Sequence, residues 1–150
     1  MVRGPLAALV AALVLAPAAA AGLTKPEAAL LAQINRVRAA HGLGPLRFDP
    51  RLERAARYHS RQMLASESFS HGSFAARLSR FAVAGPCVGE NLAWVSGSDQ
   101  VARWIVDSWL ASPEHRANLL RPLFSRIGVG ELGGLFLGRR AWVVTADFAG

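Results

Sequence analysis

The spacing of apolar residues changes character along the chain, and that change leaves few architectures open. Leu30, Ile34 and Val37 recur at helical intervals between Lys25 and Ala40, with Pro26 suited to a first turn and His41-Gly42 to a stop. Asp49 is placed to cap a second helix that starts at Pro50 and runs to Ser66, where Leu52, Ala56, His59 and Met63 share one stripe. A short helix is expected over Phe74 to Arg80, with Ser73 as its cap, and Val88 to Val95 reads as a strand. Ser98 opens a fourth helix whose buried face is expected to be Val101, Trp104, Ile105, Ser108 and Trp109. Pro113 either ends that helix or begins a short one through Leu120. Two strands close the chain, Arg126 to Leu132 and Arg140 to Phe148, with Leu135 to Leu137 able to extend either. Helices that precede and interrupt a few antiparallel strands define the α+β class, a small sheet with helices on both faces.

The first 22 residues stand outside this pattern. Met1-Val2-Arg3, the apolar run Leu6 to Ala16 and the small residues Pro17 to Ala21 have the form of a secretory signal peptide cleaved near Ala20 to Gly22. Pro17 interrupts the run short of the roughly 20 apolar residues that a spanning helix needs. An uncleaved N-terminal anchor is the competing reading. Residues 23–150 are then one exported domain, periplasmic or extracellular, with no transmembrane segment after cleavage. Cys87 is the one cysteine, so neither an internal disulfide nor a thiolate metal cluster can form, and a hydrophobic core has to hold the domain. Between Pro86 and Val88, Cys87 reads as a small buried hydrophobe, with intermolecular pairing as the alternative.

The formal charge is +7. Its arginines, from Arg36 and Arg38 through Arg51, Arg61 and Arg80, are scattered rather than clustered, and no nucleic-acid motif accompanies them. That excludes a nucleic-acid binder and leaves weak attraction to an anionic envelope surface.

Three short stretches carry the chemistry: Phe69-Ser70-His71, Gly89-Glu90-Asn91-Leu92-Ala93-Trp94, and Trp109 to Asn118, which contains Ser112-Pro113-Glu114-His115. His71 beside Gly72 either projects into a cleft or is a solvated loop histidine. Glu90, at the start of an apolar strand, needs a partner to be buried, whether backbone amides or one of the arginines. Ser112 and His115 stand three apart and can share a helical face, so Ser112 is either a helix cap or a nucleophile activated by imidazole. Two imidazoles and a carboxylate, His71, His115 and Glu90, also form a reasonable zinc set with water in the fourth position. His59 reads as a core histidine and His41 as a helix C-terminal one. Asn91 and Asn118 are expected to bond local backbone.

The order and wording of these stretches resemble the CAP domain, named for cysteine-rich secretory proteins, antigen 5 and pathogenesis-related proteins, in its compact bacterial form. Ile34-Asn35-Arg36-Val37-Arg38, Gly44-Pro45-Leu46, Ile127-Gly128-Val129-Gly130 and Trp142 to Phe148 extend the resemblance over roughly residues 27 to 149. The resemblance implies a three-layer α-β-α sandwich and a central cleft of two His and two Glu that sometimes holds zinc or another divalent ion. By position, His71, Glu90 and His115 look like three of these four. Ser112 stands where the second Glu is usual, three residues after Trp109, and removes one negative charge.

These readings converge on an exported binding module whose cleft, lined by His71, Glu90, Ser112 and His115, takes a divalent metal such as Zn2+, a small molecule, a cell-envelope ligand or a lipid. The alternative is a hydrolase of envelope peptides or esters, with His71 or His115 as base, Glu90 orienting it, and metal-activated water as the nucleophile ahead of Ser112. A hydrogen-bonded network that only stabilises the fold is the third reading.

Overall fold

A computed structural model of the protein describes residues 22–97 and 101–150. The expected leader up to residue 21 and the expected helix start at Ser98 lie outside the described residues.

Helix α1 (Lys25–Ala40) opens with a capping box. The Thr24 N–H donates to the Glu27 carboxylate at 2.8 Å, while the Glu27 N–H donates back to the Thr24 hydroxyl. Strand β1 (Arg47–Phe48) follows, then α2 (Pro50–Ser66), capped by Asp49, whose Oδ1 accepts from the Arg51 N–H at 2.8 Å and the Leu52 N–H. The chain continues through α3 (Phe74–Arg80), β2 (Val88–Val95), α4 (Val101–Ala111), α5 (Pro113–Leu119), β3 (Arg126–Phe136) and β4 (Arg139–Ala149). The sheet order is β1-β3-β4-β2, with β1 parallel to β3 and the other pairs antiparallel. The sheet is therefore mixed, because the extended link after α1 runs alongside β3 for two residues.

Alternation along the strands divides the interior into two layers. On one face Leu30, Ile34, Ile105, Trp109 and Leu119 of α1, α4 and α5 pack against Val95, Ile127, Val129, Val144, Ala146 and Phe148. On the other, Leu52, Ala55, Met63 and Leu78 of α2 and α3 meet Leu92, Phe136, Val143 and Ala149. This is an α-β-α sandwich. Each large apolar side chain so buried contributes about 1.5–3 kcal/mol, which lets the core replace the disulfides the chain cannot make.

Helix α2 approaches β3 at backbone contact. A Cβ at Gly128 would stand 2.0 Å from the Glu53 nitrogen, and one at Gly130 would stand 2.3 Å from the Arg57 nitrogen. Glycine at alternate positions of β3 makes that approach feasible.

Two local expectations are corrected. Trp104 is 48 % exposed, and Val106 takes its place in the core. The cause is the Trp109 indole, whose N–H donates to the Leu92 carbonyl at 2.9 Å and sets the rotation of α4 over β2. Ser73 sits at the start of α3 but its hydroxyl makes no capping bond.

Candidate functional site

Glu90 organises the candidate site. It lies on the α2-facing side of β2, nearly fully buried, and three side chains from three directions meet it. The His71 Nδ1–H donates to Oε1 at 2.6 Å. The Arg77 guanidinium, brought in from α3, forms a buried ion pair with Oε2 and also donates to the His71 carbonyl at 3.2 Å. His59 of α2 stands 3.9 Å from the same carboxylate but bonds elsewhere: its Nε2–H donates to the Ser70 carbonyl at 2.8 Å. A carbonyl only accepts, so this bond fixes the His59 tautomer. Burial, joined by the Arg77 charge, pushes the His59 imidazole down to about 4 and keeps it neutral.

Directly across the ladder from Glu90 is Asp147, fully buried on the same face. The Arg77 Nη2 lies 3.6 Å from Asp147 Oδ1, and neither Asp147 oxygen has a hydrogen-bond partner. Burial pushes the Glu90 carboxyl up to about 7, with the Arg77 charge acting against it. Burial and the Glu90 charge hold Asp147 well above the usual carboxylate range. One guanidinium cannot neutralise two buried carboxylates. Glu90, which has the partners, carries the charge, and Asp147 keeps its proton.

His115 arrives from α5. Its Nδ1 pairs with the Ser112 hydroxyl at 2.9 Å. Ser112 is the N-cap residue of α5, as expected by position, and its carbonyl accepts from the Arg116 N–H at 2.8 Å, but its hydroxyl makes no capping bond. Burial and the neighbouring His71 charge both lower the His115 pKa. The height of α5 over β2 is set by two asparagines. Asn91 donates to the His115 carbonyl at 3.0 Å, and Asn118 donates to the Glu90 carbonyl at 3.1 Å and to the Asn91 side-chain oxygen at 2.9 Å. They were expected to bond local backbone; they tie two distant elements together instead.

Of the residues expected from sequence, His71 and Glu90 are in direct contact, Ser112 and His115 are in direct contact, and the asparagine pair couples the two halves. Arg77, Asp147 and the placement of His59 were not foreseen. An arginine partner for Glu90 was open among many, and only the β2–β4 register singles out Asp147. Among the described residues no three His, Cys, Asp or Glu side chains converge as a metal requires. Arg77 and His71 already occupy the Glu90 carboxylate, and Ser112 holds His115. This donor set does not fit a divalent cation, whose charge would be opposed by the buried guanidinium.

Behind the His71 loop is a cavity of about 360 Å³ lined by His59, Ser70, Gly72, Ser73, Arg77 and Arg80, among others. It shares His59 and Arg77 with the Glu90 cluster.

The sandwich topology and the order of its elements place the chain in a class of small α+β modules. The match is explicit: residues 31–132 fit the model of the cysteine-rich secretory protein (CAP) family, and the chain belongs to that family. It is 34% identical over 101 residues to the uncharacterized protein YkwD of Bacillus subtilis, an alignment covering 64% of this chain and 38% of that protein. An extracellular Bacillus anthracis protein containing an SCP domain is 32% identical, with a TM-score of 0.65 over 85% of this chain and 44% of the other. The chain thus spans less than half the length of these relatives. An outer surface protein of Borrelia burgdorferi, 20% identical, shares the fold with a TM-score of 0.66 over 80% of this chain and 89% of that one.

Proposed function

We propose that this protein is an exported CAP-domain binding module that holds a small polar ligand in the cavity beside the Glu90 cluster, against His59 and Arg77. The observation that carries this reading is the cavity of about 360 Å³ that borders the buried network through His59 and Arg77, with the Ser70 and Ser73 segment at its edge. Its lining offers hydroxyls and arginine donors around a neutral imidazole, which suits a ligand that both donates and accepts hydrogen bonds. The Glu90 ion pair is rigidly held before any ligand arrives, so little ordering is left for binding to offset. Export is the reading supported by the apolar run Leu6 to Ala16 read as a leader, and it agrees with the extracellular description of the B. anthracis relative.

The test is a thermal-shift screen of sugars, amino acids and short peptides against the wild type and the His59→Gln and Ala76→Phe variants. His59→Gln keeps a donor for the Ser70 carbonyl, and Ala76→Phe fills the exposed mouth of the cavity. A ligand at about 100 times its Kd stabilises the native state by roughly 2.7 kcal/mol, and that gain is expected in the wild type alone. A panel that moves none of the proteins, or moves all of them equally, contradicts the proposal.

One observation favours a second reading. The Ser112 hydroxyl and His115 Nδ1 are 2.9 Å apart, and burial keeps that imidazole neutral and able to accept a proton. In that reading Ser112 is the nucleophile and His115 the base of a hydrolase of envelope esters or peptides. Covalent labelling by a fluorophosphonate, lost in Ser112→Ala, is its signature; an unlabelled wild type removes it.

A further inference from the structure

The far end of the β3–β4 hairpin carries features that neither the core nor the candidate site uses. Phe136 and Arg139 form its last pair, and Leu137-Gly138 make a two-residue loop with φ of +50° and +73°. That is the type I′ geometry in which Asn-Gly is the favoured pair, because the first position lies in the left-handed region. Here it holds a leucine that is 51 % exposed. The chain thus accepts an unfavourable backbone conformation for a bulky side chain and gains little burial within the fold. Leu135, two residues back, is 61 % exposed.

The surroundings of the tip are basic and aromatic. Arg139 and Arg140 follow the loop and are exposed, with Arg140 paired across from Leu135. Trp142 lies over Gly133, where an added Cβ would meet its ring at 3.0 Å, and remains 37 % exposed. Leu135, Arg140 and Trp142 share one open hollow of about 820 Å³. Trp142 also borders a second hollow, of about 530 Å³, with Lys25, Arg36, Arg103 and the buried Glu131 on its walls. Arg103 pairs with Asp107 at 3.6 Å, so Lys25 and Arg36 supply its net positive charge. Two leucines at a tip, a tryptophan beside them and a collar of cations form one continuous end of the molecule.

We propose that this end docks on an anionic lipid surface, with Leu135 and Leu137 entering the acyl boundary, Trp142 at the headgroup level and the Arg139–Arg140 pair on lipid phosphates. Exposed leucines gain only where an apolar phase receives them, and tryptophan is suited to the boundary between that phase and water. Each cation held near an anionic leaflet adds attraction that salt screens. A protein partner would also cover the leucines, but the collar of cations favours the anionic bilayer. The inference concerns a surface separate from the Glu90 cluster and stands or falls independently of it.

The test is co-sedimentation of the chain from Gly22 onward, which holds every element described above, with phosphatidylcholine vesicles prepared with and without phosphatidylglycerol. Binding is expected to the anionic vesicles only and to weaken as salt rises. Leu135→Ser with Leu137→Asn should lower the partition coefficient by on the order of tenfold or more, and Arg139→Gln with Arg140→Gln should remove most of the salt dependence. Leu137→Asn suits the loop better than leucine, so its melting temperature should hold or rise, which separates lost docking from lost folding. Absence of binding to either vesicle, binding indifferent to phosphatidylglycerol, or binding that survives both double substitutions overturns the proposal. Retention on envelope proteins, rather than on vesicles, that the leucine double variant abolishes also overturns it, in favour of a protein partner.

Discussion

Glu90 and Asp147 stand opposite each other across β2 and β4, both buried, with the Arg77 guanidinium as the cation that reaches them both. Two acids directly paired across a ladder repel when both are charged. The arrangement is stable because it holds one charge and one proton on the acid side. Glu90→Gln takes away the close partner of the buried Arg77 and leaves it only Asp147 at 3.6 Å, which must then give up its proton. It should cost up to about 3–5 kcal/mol in urea unfolding. Asp147→Asn keeps a neutral side chain of the same shape and should cost little at pH 5 and stabilise the protein at pH 8. A large loss from Asp147→Asn at both pH values would mean that Asp147 is the ionised partner.

Glu131 supplies a pH dependence outside the site. Burial pushes its carboxyl up to about 7, the Glu27 charge adds to the effect, and its Oε2 has no hydrogen-bond partner. Between the ordinary 4.5 and about 7 the native state holds a proton that the unfolded chain has released. Its favourable contribution is therefore complete below about 4.5 and is lost as pH rises through about 7. Glu131→Gln should flatten the fall in stability between pH 5 and 8 by about 2 kcal/mol, leaving a smaller slope of the same sign from Glu90 and Asp147. Denaturant titrations at a series of pH values check this, and identical slopes in both proteins would count against it.

Asn118 holds the two halves of the site in register through its bonds to the Glu90 carbonyl and the Asn91 side chain. Asn118→Ala leaves those acceptors without their donor and should cost about 1–3 kcal/mol. The His115 ring resonances should shift more than those of the solvent-exposed His41. A variant that loses stability with no change at His115 would show that α5 is positioned by its apolar contacts alone.

Gly128→Ala or Gly130→Ala should prevent normal folding or cost more than about 4 kcal/mol, because the added carbon meets the α2 backbone rather than a movable side chain. Circular dichroism melts suffice. By contrast, Gly44→Ala has open space around the new methyl and should be tolerated.

Much of this architecture was legible from local chemistry. Pro26, Asp49 and Pro50 mark helix starts, and the change from helical spacing to strand-like runs marks where the sheet strands end the chain. What local pattern could not supply is anything that depends on two distant segments meeting. Trp104 and Trp109 look equally suited to the core of α4; the bond from Trp109 to the Leu92 carbonyl chooses between them. Asn91 and Asn118 have the composition of local caps, yet their partners are each other and the backbone of β2 and α5. His71, Glu90, Ser112 and His115 were visible as candidates, whereas Arg77 was one arginine among many and Asp147 acquired its place only through strand register.

The proposed function rests on Arg77 and His71 already occupying the Glu90 carboxylate and on the neighbouring cavity taking a small organic ligand. Native mass spectrometry of protein purified from its own envelope, with zinc added after chelation, tests this most directly. The account predicts an organic adduct on the wild type that is lost in Ala76→Phe, and no more zinc on the wild type than on a His71→Ala/His115→Ala double variant. Stoichiometric zinc that only the double variant loses, with no organic adduct on the wild type, would contradict it.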